Sequence, residues 1–139
     1  MCSDYNQDAR GCSDRLQRVH AVRTRLIAYV EQVYCHRKFF NQLYRDLATI
    51  AAEPHKRDLL LHLADLEQQG MDRCVVALRR LQGRVPEFCD NALQRTWRRM
   101  LVLAGPRIAL TWIDHMKRTD MRRRTDLLRW LKAMKMSKA

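Results

Sequence analysis

Glu67 sits in the stretch "LHLADLEQQG" (residues 61–70), and Gly70 follows it three positions later. On a helix, residues three apart share a face. A Glu followed at that spacing by a His would present a carboxylate and an imidazole together, the donor types that hold iron, manganese or zinc. Here the carboxylate is present and the imidazole position is glycine. No Asp or Glu anywhere in the chain is followed three residues later by His. The best counterpart in the second half is Asp120 with Arg123, again without an imidazole. Two cations need several carboxylates, and usually two imidazoles, to balance and orient them, so one glutamate does not make a dinuclear centre.

Other reactive groups are scattered. The histidines are His20, His36, His55, His62 and His115. Gln32/His36 and Asp58/His62 have i,i+4 spacing but lie off the apolar seam of their segments, which points to surface roles. A single metal held by Glu67 with His36 or His62 is the residual enzyme reading. Cys35 and His36 are adjacent, and adjacent helical residues point about 100° apart, a poor thiol–imidazole geometry. No glycine-rich phosphate loop, Gly-x-Ser-x-Gly or His-Glu-x-x-His occurs. The five cysteines show no Cys-x-x-Cys spacing, so free thiols in a cytoplasmic or other reducing compartment are expected. The start, "MCSDYNQDARGCSDR", lacks the apolar core of a signal peptide. The longest apolar run, "MLVLAGPRIALTWI", is interrupted by Gly-Pro-Arg and is too short to span a bilayer.

The elements that must position these groups are helices. Four glycines and three prolines interrupt 139 residues, and hydrophobic residues make up 47%, enough for a packed core. A polar tail is expected over 1–12, with Ser13 and Asp14 capping a helix over 14–52. Its seam runs Leu16, Val19, Leu26, Val30, Val33, Phe40, Tyr44, Leu47, Ala51 in steps of three, four and seven, and Arg23 and Arg37 fall on the same seam. Pro54 suits the first position of a second helix over 55–82, and Gly83 suits its end. Leu60, Leu63, Ala64, Glu67, Gly70, Met71, Cys74, Leu78 and Leu81 share its inner face. Asp90 or Asn91 caps a third helix over 91–104, with Leu93, Trp97, Met100, Leu101 and Ala104 inward. After "AGPR", a turn or a kink, a fourth helix runs over 107–136. The expected fold is an all-α four-helix bundle formed by residues 13–139 as one domain.

Residues 33–81 resemble the first helical hairpin of the ferritin-like superfamily, nearest to rubrerythrin-type proteins. The resemblance rests on "FFNQLYRDLA", a short basic turn, and "LLLHLADLEQQ", about a third of the chain. It implies a bundle whose inward carboxylates and histidines hold two metal ions. Carried onto this sequence, the first-helix glutamate position is Arg37 and the second-helix Glu-x-x-His is Glu67 with Gly70. The resemblance therefore implies a degenerate site without metal, and no cofactor is expected. It also sets Arg37 opposite Glu67, where a guanidinium would replace the metal's charge as a buried ion pair.

The strongest functional signal is charge. The chain carries 27 Lys+Arg against 15 Asp+Glu, net +12. Thirteen of the basic residues and only three of the acidic ones lie in residues 95–139. Such an excess asks for an anionic partner. Arg95, Arg98, Arg99, Lys117, Arg118, Arg122, Arg123, Arg124, Arg129, Lys132 and Lys135 would supply the attraction, with Trp130 as an apolar anchor. The expectation is a non-catalytic accessory subunit docking on an acidic protein surface of a larger assembly. Non-sequence-specific nucleic-acid binding, contact with an anionic membrane surface and a residual metal-dependent oxidoreductase are the rivals. Homodimerisation is compatible with each.

Overall fold

The computed structural model describes residues 6–87 and 89–136. Four helices and no strand occur among them: α1 (Asn6–Ile50), α2 (Pro54–Arg80), α3 (Ala92–Ala104) and α4 (Pro106–Met136). The chain is an all-α four-helix bundle. One boundary differs from expectation by more than two residues: α1 begins at Asn6, ahead of the Ser13 cap, so residues 6–12 are helical rather than tail. No proline interrupts that stretch, and a lone Gly11 costs a helix only about 1 kcal/mol. Residues 1–5 of the expected tail lie outside the described residues.

Local chemistry sets the other ends. Glu53 is extended (φ −91°, ψ 128°) and Pro54 occupies the first turn of α2, where its missing N–H costs nothing. The end of α2 is a Schellman turn: Gly83 N–H donates to Leu78 O (2.8 Å) and Gln82 N–H to Arg79 O (3.1 Å). The left-handed residue of that turn is Gln82 (φ 58°), not a glycine. Gly83 serves close approach instead, since a Cβ there would lie 3.2 Å from Ile27 Cγ2. Asn91 caps α3 by accepting from Gln94 N–H at 2.8 Å. Gly105, at φ 104°, separates α3 from α4.

α1 and α2 form the closest-packed pair, and α3 and α4 pack on α1. The core joins Phe40, Leu43, Tyr44, Leu47 and Ala48 of α1 to Leu60 and Ala64 of α2, Leu101 of α3 and Ala109 and Ile113 of α4. Leu43, Leu47 and Leu78 are fully buried, each contributing about 1.5–3 kcal/mol. Buried Asn41 donates from Nδ2 to Ala64 O at 2.7 Å, stitching α1 to α2.

Two expectations are corrected. Of α3, Leu101 is buried in the core and half-buried Val102 packs against it. Leu93, Trp97, Met100 and Ala104, expected inward, are exposed, because the bundle covers the neighbouring face, which carries Leu101, Val102 and Arg98. The cysteines are not all free: Cys35 on α1 is bonded to Cys89 in the α2–α3 connection, with a Cα–Cα distance of 5.1 Å. Cys12 is disulfide-bonded too. Cys74 is a free, buried thiol. The two half-cystines are 54 positions apart, and the return of α2 along α1 brings them together.

Candidate functional site

Glu67 is 3% exposed and meets two cations. Arg37 Nη1, from α1, donates to Glu67 Oε2 at 3.1 Å. Lys117 Nζ, from α4, lies 2.5 Å from Glu67 Oε1. The Arg37–Glu67 contact is the one expected; Lys117 is the addition. The carboxylate thus ties three helices together at one level, with both oxygens engaged. Gly70 completes the arrangement, because a Cβ at that position would meet Arg37 Nη1 at 2.5 Å and Cδ and Cζ at 2.6 Å. Glycine leaves the channel through which the guanidinium reaches Glu67.

The surroundings reinforce the charge. Burial opposes the charge on Lys117, but its hydrogen bond to Glu67 and the attraction of that carboxylate outweigh burial and hold the ammonium above its ordinary range. Lys117 Nζ also stands 5.7 Å from the ring centroids of both Phe40 and Tyr44, within cation–π reach. Burial pushes the Tyr44 phenol up, against the opposing effect of Lys117. The Cys74 thiol is raised by burial too, opposed by Arg37.

Beside the triad lies a cavity of about 250 Å³, lined by Tyr29, Arg37, Glu67, Lys117, Asp120 and Arg124 among others. His36 Nδ1 is 3.0 Å from both oxygens of Asp120, linking α1 to α4 one turn from the triad. His36 and Asp120 are each mostly buried, so this is an internal contact rather than the surface role expected of His36. Among the described residues, no buried side-chain nitrogen or oxygen lacks a hydrogen-bond partner. Nor is any group of three or more His, Cys, Asp or Glu placed to hold a metal ion. What the cluster does chemically is neutralise a buried carboxylate with cations.

The basic residues expected to face a partner divide into groups. Arg98 is turned inward, 14% exposed, with Nε 3.0 Å from Asp46 Oδ2 and Nη1 3.2 Å from Asp90 Oδ1. It braces α3 against α1 and is not a free docking residue. Lys117 is committed to Glu67. Trp130 is half-buried beneath Arg25, whose Cζ is 4.3 Å from the ring centroid, so it joins α4 to α1 instead of standing free as an anchor. Arg118 pairs within α4 with Asp114 at 3.0 Å. Arg95, Arg99, Arg122, Arg123, Arg124, Arg129, Lys132 and Lys135 are exposed.

Helical spacing sorts the α4 cations into two rows. Arg118, Arg122, Arg129 and Lys132 recur in steps of three, four and seven on the face opposite buried Ile113 and Leu127. Lys117, Arg124 and Lys135 recur on the flank that lines the cavities. Sequence reading missed Lys117 and Arg98 as partners of carboxylates on other helices, and no local signal marks them: both sit among other cations in residues 95–124.

No protein-family model, curated protein or solved structure matches this chain. No helix of the described residues is long and apolar enough to cross a membrane.

Proposed function

We propose that the protein is a non-catalytic accessory subunit, ferritin-like in its first hairpin, that docks on an acidic protein surface of a larger assembly through the outer face of α4. The observation that carries this reading is the Arg118/Arg122/Arg129/Lys132 row. Among the described residues, only Arg118 of its members has an acidic partner, and that one is exposed and local, worth little in water. Met121 and Leu128, exposed by 69% and 55%, flank the row. Apolar side chains among arginines suit a protein surface, where Arg is enriched and apolar groups dock. A phosphate backbone asks for the cations alone.

The triad supports the non-catalytic half of the reading. Both oxygens of Glu67 are taken by cations, and a metal ion would have to displace them. The ferritin-like part rests on the hairpin sequence and on Arg37, Glu67 and Gly70 standing at the positions of lost ligands. The Cys35–Cys89 disulfide favours an oxidising compartment over the reducing one expected from the cysteine spacing.

The test is isolation at low salt from native cells, with and without nuclease, of wild type, Arg122→Glu/Arg129→Glu and Glu67→Gln. A defined set of proteins should survive nuclease with wild type and Glu67→Gln, and fall by about tenfold with the charge reversal. Partners that vanish with nuclease would establish the nucleic-acid reading instead. Stoichiometric iron or manganese in wild type would restore the enzyme reading.

A further inference from the structure

The bundle is unequal along its length. α1 has 45 residues and α3 has 13, so they span about 67 Å and about 20 Å. The core places α3 against the second half of α1, through Leu101. At the other end, around residues 18–26, α1, the end of α2 and the end of α4 are the elements that come together among the described residues. There a groove of about 430 Å³ opens. Its apolar floor comes from all three helices: Val22 and Leu26 of α1, Leu81 after α2, and Leu131 and Met134 of α4. A second hollow continues from it across Leu26 and Leu81 to Val30 and Val76. Val19 and Val76 are exposed by 56% and 47%.

The groove has one sign of charge. Arg18, Arg23, Arg80 and Lys135 line it and, among the described residues, no acidic one does; Asp72 and Arg73 line the adjoining hollow. Arg23 is fixed there by donating from Nε to Leu81 O at 2.9 Å. Its apolar residues repeat at helical steps, Val19/Val22/Leu26 on one wall and Leu131/Met134 on another. Two such ridges with a trough between them are what a third helix packs into. A helix laid there would also give this end of the bundle its fourth member.

We infer that this groove receives an amphipathic helix of a partner protein, with apolar residues at i, i+3 or i+4 and i+7 and with Asp or Glu on both sides of that stripe. The inference rests on the docking reading above and deepens it. The α4 row attracts an acidic surface, and the groove supplies the apolar anchor that Trp130, packed under Arg25, does not. Lys135 belongs to the same helix as the row, so one partner can reach both.

The experiment uses the full oxidised chain and a synthetic amphipathic peptide with Leu at heptad core positions and Glu beside them. A twin peptide carrying Lys for each Glu and phosphatidylserine vesicles serve as competitors. Methyl NMR follows Val19, Val22, Leu26 and Leu131 during titration. The Glu peptide should saturate with shifts confined to these methyls and should bind about tenfold more tightly than the twin. Arg18→Glu/Arg80→Glu, both at exposed positions, should reverse that preference. Arg122→Glu/Arg129→Glu should leave peptide affinity within about twofold, which separates failure of the groove from failure of the α4 row. Equal binding of the twins, shifts only along α4, or groove methyls that respond to vesicles and not to peptide would each overturn the inference. A concentration-dependent dimer with these methyls protected would assign the groove to a second copy and overturn it as well.

Discussion

The guanidinium of Arg37 occupies the space that any side chain on Gly70 would need. The glycine and the arginine are therefore one feature. Gly70→Ala should gain about 1 kcal/mol of helix propensity and lose a charge-assisted hydrogen bond worth about 1.5–3 kcal/mol. Lys117 keeps Glu67 paired and Arg37 is 38% exposed, so the loss falls at the low end and net stability moves by less than about 1 kcal/mol. The informative quantity is the coupling: Arg37→Met should destabilise the wild-type background and do almost nothing in Gly70→Ala. Equal costs in the two backgrounds would refute the steric exclusion.

Two cations on one carboxylate cover for each other. Arg37→Met and Lys117→Met should each cost about 1 kcal/mol, whereas the pair together leaves Glu67 buried and alone, at about 3–5 kcal/mol. Adding Glu67→Leu to the pair should recover most of that loss. Urea denaturation of the full cycle measures the non-additivity.

Stability should fall in alkali. Lys117 is raised above the ordinary 10.5, so its contribution is complete below that value and is lost as pH rises through the higher folded one. Tyr44, raised above 10.0, has the same sign, because the unfolded phenol ionises before the folded one. Urea midpoints measured across this range should decline less steeply in Lys117→Met and in Tyr44→Phe than in wild type.

Reduction should weaken the fold substantially. Closing a loop across 54 positions stabilises by about 4 kcal/mol in the chain-entropy account, and Cys35→Ala/Cys89→Ala should lose about 2–4 kcal/mol of it. Cys74 should resist iodoacetamide in the native protein, since it is buried and its thiol is raised by burial. Mass spectrometry after dithiothreitol should find Cys35 and Cys89 alkylated before Cys74.

Gln82 holds the left-handed position that closes α2. Gln82→Gly should stabilise by about 0.5–1 kcal/mol, the relief of left-handed strain less the added freedom of the unfolded chain. Gly83→Ala should destabilise, since its Cβ would press on Ile27. Thermal melts of the two variants should shift in opposite directions.

Much of this architecture is legible in the sequence, and the legible parts are local. Pro54, Asn91 and the Gly105-Pro106 pair mark helix ends because each acts through its own backbone. Phe40, Tyr44, Leu47, Leu60 and Ala64 mark the core because their spacing repeats a helical turn. The hairpin resemblance leads one to expect an Arg37–Glu67 contact, and that contact is present. What the sequence conceals depends on distance in the fold. Lys117 and Arg98 look like their neighbours until helices from elsewhere bring them a carboxylate. The Leu93/Trp97/Met100 spacing shows that α3 is amphipathic but not which side the bundle covers. Cys35 and Cys89 meet only once α2 is in place.

That disulfide also decides how the molecule carries load. A pull on the two ends of the chain passes along α1 to Cys35, crosses to Cys89 and continues into α3. Residues 36–88, with the whole of α2, Glu67 and Gly70, lie outside that line. Tension transmitted by a partner gripping α4 can peel α3 and α4 away, and Lys117 with them, while residues 36–50 of α1 and the whole of α2 stay mechanically shielded. The segment that holds Arg37 and Glu67 is one that a chain oxidised at Cys35–Cys89 does not stretch.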